Sequence, residues 1–150
     1  MNCYRLYSLC FTVILSFLFS QEECDGFRYQ EEIFQDSEIQ VISNIQYGEN
    51  VNTNFWGTEI NEELLLDVYL PTNDILDSRP LIIFLYGGSF ISGSKESPDI
   101  VELCMRYAKM GYVTSAINYR LTPTLILQGT EENAYKAVMK GIHDLKAAVR

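Results

Sequence analysis

Residues 85–95, Leu-Tyr-Gly-Gly-Ser-Phe-Ile-Ser-Gly-Ser-Lys, gather the groups of this sequence best suited to chemistry. Three glycines, three serines and a lysine stand directly behind the apolar run Leu81-Ile82-Ile83-Phe84. Two chemistries use such a loop. A phosphate loop places Lys after the second glycine of G-x-x-x-x-G-K-[ST] and starts its helix there, so that backbone N–H groups face the phosphates. Gly88 and Gly93 have that spacing, but Ser94-Lys95 follow in reversed order, and helix-start signals come only at Ser97-Pro98. G-x-G-x-x-G is absent as well, so a nucleotide-binding α/β protein is a remote alternative. An oxyanion site needs consecutive backbone N–H groups free of bulky side chains, aimed where negative charge develops. Gly88 and Ser89 meet that need; two glycines making a tight turn after a strand would satisfy the same residues.

The partners of an acyl-transfer site are missing. There is no G-x-S-x-G, the elbow that carries the nucleophile of many serine hydrolases. The single histidine, His143, falls off the apolar stripe of its segment and reads as a solvent-facing helix residue. Asp144 beside it reads as a helix-surface or structural ionic residue. One histidine and no cluster of metal-ligand types give no reason to expect a metal or a cofactor.

The elements around the loop follow from hydrophobic period. Ile39, Val41, Ser43, Ile45 and Tyr47 share one face at strand period, and residues 63–71, ended by Pro71, form a second strand able to pair with the first as an antiparallel hairpin. Residues 50–61 have the Asn and Gly content of a loop. The run 81–86 does not alternate, which predicts a strand buried on both faces in the middle of a parallel sheet. Ser97 and Pro98 open a helix with Ile100, Leu103, Cys104, Tyr107 and Ala108 on one face, closed by Gly111. Residues 112–119 are the next strand. Residues 131–150 form a last helix with the stripe Ala134, Ala137, Val138, Gly141, Ile142, Leu145, Ala148, Val149. A hairpin leading into βαβα predicts an α/β sheet with an antiparallel edge, stopping part-way through a fold at Arg150.

Residues 1–20 have the layout of a secretory signal peptide: one charge at Arg5, an apolar stretch from Leu9 to Phe19, then the small Ser20. Residues 21–37 read as a polar extension, and 38–150 as the incomplete domain. Removing 1–20 takes away only Arg5, leaving 10 of the 11 basic residues against 20 acidic ones, a net charge of −10. That balance argues against nucleic acid or an anionic membrane surface as a partner. Export also leaves two cysteines, Cys24 and Cys104. An oxidising compartment invites a disulfide between them; the alternative is a buried helix thiol and a loose terminal one.

The segments "LIIFLYGGSFISGS" and "GYVTSAINYRL", with "LLLDVYLP" before and "AVMKGIHDLKAAVR" after, resemble the N-terminal part of carboxylesterases of the α/β-hydrolase superfamily, in particular the cholinesterase and type-B group. The similarity spans roughly residues 40–150. It implies that Gly88 and Ser89 supply oxyanion-hole N–H groups, that Gly87 supports the turn, and that Arg120 pairs a buried acid. Ser89 departs from the glycine common in that family; its N–H is retained. The resemblance also implies a small-molecule ester as substrate and a chain lacking its nucleophile. A non-catalytic α/β-hydrolase relative acting by binding is the alternative.

Overall fold

The computed structural model describes residues 27–123 and 130–150. The expected signal peptide and Cys24 lie outside them. Six main elements follow a one-turn 3-10 helix at Asp36–Glu38: β1 (Ile39–Thr53), β2 (Glu59–Pro71), β3 (Leu81–Leu85), α1 (Pro98–Lys109), β4 (Val113–Ile117) and α2 (Glu131–Ala148). The strands form one sheet in the order β1-β2-β4-β3. β1 and β2 pair as an antiparallel hairpin from Ile39↔Pro71 to Thr53↔Glu59. β4 runs antiparallel to β2 and parallel to β3, with Leu85 opposite Ile117. This is the expected hairpin leading into βαβα.

The buried centre of the sheet is β4, not β3. Thr114, Ala116 and Ile117 are fully buried, and Tyr69, Tyr86, Ile100, Cys104, Ala108 and Tyr119 pack with Ala116 in the core. Burying an aliphatic side chain such as that of Ile100 contributes about 2 kcal/mol. The unbroken apolar run 81–86 predicts a central strand, yet β3 is an edge strand among the described residues, with Leu81 52% and Leu85 37% exposed. Apolarity on both faces reports that a strand can be covered on both sides; it does not supply the cover.

Two further expectations need correction. The first strand continues through Thr53, and the connection shrinks to residues 54–58, because the polar stretch still pairs residue by residue with β2. The Asn54 carboxamide makes that tight turn by accepting from the N–H groups of Trp56 and Thr58, and Gly57 supplies a positive φ of 81°. In α2 the buried seam is Ala137, Gly141 and Asp144, whereas Ala134, Val138, Ile142 and Val149 of the expected stripe are exposed. Small residues let the helix approach closely: a Cβ on Gly141 would lie 3.2 Å from the Phe90 ring.

Helix α1 begins with Pro98 at its first turn, where a missing N–H is no loss. Ser97 occupies the N-cap position without a side-chain cap bond. Gly111, at φ 97°, ends the helix. The N-terminal extension is tied to this end of α1 by its backbone: the N–H of Tyr29 donates to Met110 O, and those of Ile33 and Phe34 donate to Lys109 O. Arg28 adds an ion pair with Asp74.

Candidate active site

The loop between β3 and α1 emerges at the carboxyl end of β3, where open α/β sheets place their ligands. Gly88, Ser89 and Phe90 have φ values of 128°, 55° and 62°. For Ser89 and Phe90 that left-handed conformation costs on the order of 1 kcal/mol each. The carbonyl of Gly88 accepts from the N–H groups of Ile91 (3.0 Å) and Ser92 (3.3 Å), closing a tight turn. The N–H groups of Gly88 and Ser89 donate to no acceptor among the described residues, and both residues are exposed.

Glycine is required at Gly88 and Gly93. A Cβ on Gly88 would lie 1.9 Å from Ser92 O, and one on Gly93 2.2 Å from the Tyr86 ring; both residues also have positive φ. Gly87, expected to support the turn, has neither constraint: its φ is not positive, and a Cβ would meet nothing within 4 Å. The demand for glycine falls one residue later, and space beside Gly87 stays open.

Three sets of contacts hold this loop. At its start, Tyr86 and Tyr119 stack with ring centroids 4.5 Å apart, and each hydroxyl donates to the other residue's carbonyl, at 3.2 and 2.9 Å. Burial pushes both phenols above their ordinary range, for Tyr86 with a further push from Tyr119. In the middle, the Thr122 N–H donates to Phe90 O at 2.7 Å, and the Phe90 ring meets Tyr119 edge-on. At the far end, the Lys95 N–H donates to Asn118 Oδ1 at 2.7 Å, and its ammonium donates to both oxygens of Asp67 at 2.8 and 2.9 Å.

Lys95, the residue that suggested a phosphate loop, is 1% exposed and already holds a carboxylate. Burial works against its charge, but the hydrogen bonds it donates to Asp67 and Glu96 outweigh it and hold the ammonium above its ordinary range. Sequence reasoning did not pair these residues; the available signal was Asp67, a charge inside the apolar run "LLLDVYL".

His143 is exposed on α2, as expected, and lines a surface hollow with Asn50, Tyr135 and Lys140. Asp144 is a buried ionic residue: it is the acid that pairs Arg120, with Arg120 Nη2 donating to Asp144 Oδ1 at 2.7 Å. His143 therefore faces outward and Asp144 inward on α2, and neither joins the glycine loop. Cys104 is a free thiol, completely buried in the core, and its expected partner Cys24 lies outside the described residues.

The BD-FAE family model matches residues 66–150, more than half of the chain and all of the glycine loop. Esterase B from Lactobacillus rhamnosis, solved in complex with a C4-C4 tributyrin phosphonate, is 17% identical with a TM-score of 0.51 over 96% of this chain and 39% of that one. A second inhibited form of the same esterase gives 17% identity and a TM-score of 0.50 over 95% and 38%. Brefeldin A esterase, a bacterial homologue of human hormone-sensitive lipase, is 19% identical with a TM-score of 0.47 over 83% and 31%. The fold is thus part of an α/β-hydrolase, and the chain spans about two fifths of the length of Esterase B. No curated protein matches the sequence.

Proposed function

The chain belongs to the BD-FAE family, and from that membership we propose that it is the N-terminal part of an exported serine carboxylesterase. In this reading it hydrolyses carboxylic esters through an acyl-enzyme, and this segment carries the oxyanion-hole loop but not the nucleophile. The observation that carries the proposal is the left-handed Gly88–Ser89–Phe90 run, whose first two N–H groups have no acceptor among the described residues. Unpaired donors fixed at the carboxyl end of a parallel strand suit the charge stabilisation that acyl transfer requires. Each such donor, once aimed at a developing oxyanion, is worth about 3 kcal/mol of barrier. The open space beside Gly87 leaves room for the ester carbonyl.

Ser89 serves through its peptide N–H, and Gly88 through the same group. The edge of β3, open among the described residues, and the exposed apolar residues of α2 fit a sheet that continues with further strands. Within the α/β-hydrolases, the segments around the glycine loop resemble the cholinesterase and type-B group. A nucleotide-binding role is disfavoured because Lys95, the cation such a site would use, is held by Asp67.

The test is the coding sequence downstream of Arg150, followed by an assay. A strand leading into G-x-S-x-G is expected within some tens of residues, and the extended chain should hydrolyse p-nitrophenyl acetate while residues 21–150 do not. Hydrolysis by residues 21–150 above the buffer rate would overturn the proposal, as would a long downstream frame without the motif, which favours the binding-protein alternative.

A further inference from the structure

A buried ion pair, Lys95 with Asp67, stands at the far end of the loop that carries Gly88 and Ser89. We infer that Lys95 and Asp67 are positioning residues for the Gly88 and Ser89 amides, their ion pair pinning the far end of the loop to β2 and so fixing where the two N–H groups point. The inference rests on the oxyanion reading of that loop.

The loop leaves β3 at Tyr86, turns at Gly88 through Phe90, and returns to the sheet at Lys95. Its turn is uphill, because Ser89 and Phe90 adopt left-handed backbone that surrounding contacts must enforce. The return is fixed twice at one residue. Through its side chain Lys95 reaches β2, where Asp67 is 4% exposed; through its N–H it reaches Asn118, just past β4. Both attachment points are themselves fixed. The Asn44 N–H donates to Asp67 Oδ1 at 2.8 Å, the Asn118 N–H donates to Leu65 O, and the Tyr47 hydroxyl donates to Asn118 O at 2.6 Å.

A buried ion pair is a poor source of stability, since desolvation offsets most of its attraction. Its distinctive contribution is directional: an ammonium shared between two carboxylate oxygens has little freedom to slide. Six residues lie between Gly88 and Lys95 along the chain, and a loop that short transmits a displacement of its end to its turn.

The experiment compares the chain with the double variant Asp67→Asn, Lys95→Met. Asn retains an oxygen for the Asn44 N–H and Met retains the stem volume, so the change removes the ion pair with little loss of packing. Hydrogen exchange is followed at Ile91 and Thr122, whose N–H groups bond Gly88 O and Phe90 O, with the β4 amides of Ser115 and Ala116 as reference. Exchange at Ile91 and Thr122 should accelerate tenfold or more with the β4 amides unchanged. The backbone order parameters of Gly88 and Ser89 should fall from near 0.85 toward about 0.6. Unchanged loop amides in the folded variant overturn the inference, and so does equal acceleration in β4, which marks a general loss of stability. Should the double variant not fold, the single isosteric variant Asp67→Asn, which removes the carboxylate from the pair and keeps an oxygen for the Asn44 N–H, must give the same local pattern; without it the inference fails. These readouts use no catalysis, so a downstream frame lacking G-x-S-x-G would remove the oxyanion reading without imitating either negative result.

Discussion

The Arg120 guanidinium and the Asp144 carboxylate grip each other side-on: Nε lies 3.0 and 3.1 Å from the two carboxylate oxygens and Nη2 lies 2.7 Å from Oδ1. The Arg120 N–H adds a fourth bond to Oδ2 at 2.9 Å, and Nη1 reaches Val51 O on β1 at 2.7 Å. One residue thus joins the exit of β4, helix α2 and the outer hairpin. Removing the acid strands a buried guanidinium, so Asp144→Ala should destabilise by about 3–5 kcal/mol. Glu102→Ala, at an exposed position of α1, should stay within about 0.5 kcal/mol. Urea unfolding midpoints at neutral pH compare the two.

The two adjacent glycines of the loop should respond oppositely to alanine. At Gly88 the new methyl would collide with Ser92 O while the backbone sits at φ 128°, and the turn must rearrange. A loss of about 2 kcal/mol or more is expected, combining left-handed strain with backbone displacement. Gly87→Ala meets open space at ordinary φ and should change stability by less than about 0.5 kcal/mol. Thermal unfolding of the two variants beside the parent chain decides this; equal effects would contradict the geometry.

Periodicity and caps placed every main element, because strand alternation, Ser97-Pro98 and Gly111 are local signals and local physics determines them. What they could not show was which neighbour covers each face. The run Leu81–Leu85 is apolar enough for a central strand, but among the described residues only β4 pairs with it. Asp144 reads from sequence as either a helix-surface or a structural ionic residue, because hydropathy penalises a buried carboxylate and cannot count the Arg120 partner that makes it at home on the inner face of α2. The Gly88–Ser89 pair could be proposed from residue type alone, whereas Lys95 pairing Asp67 across 28 positions depends on the sheet register. The polar stretch Asn50–Thr53 misled for a related reason: ladder bonds are indifferent to side-chain polarity when a partner strand is present.

The reciprocal bonds of Tyr86 and Tyr119 predict a coupled pair. Tyr86→Phe removes the donor to Tyr119 O, and Tyr119→Phe removes the donor to Tyr86 O. Each single variant should lose about 1 kcal/mol, since the carbonyl left behind is buried. The double variant retains the ring stack, so its loss should depart from the sum of the single losses by at least about 0.5 kcal/mol. Strict additivity in a double-mutant cycle would show that the two hydroxyls act independently.

Alkaline pH should unfold the chain earlier than its surface charges alone would. Burial pushes the Cys104 thiol from an ordinary value of 9.0 up to about 11, and the Tyr69 phenol from 10.0 up to about 12. In both groups the neutral form is the protonated one, so the folded state holds these protons more tightly than the unfolded chain does. Their contribution is fully present below pH 9 and disappears as pH rises through 9 to 11 for the thiol and 10 to 12 for the phenol. Two pKa units correspond to a loss of roughly 2–3 kcal/mol per group. Tyr47 and Tyr86, also pushed up by burial, deepen the fall above pH 10. Urea midpoints under reducing conditions should be level from pH 7 to 8.5 and drop beyond pH 9. Cys104→Ala should remove the earliest part of that drop, and Tyr69→Phe the later part. A parent profile that stays level to pH 11 would mean that water reaches these groups in the native state.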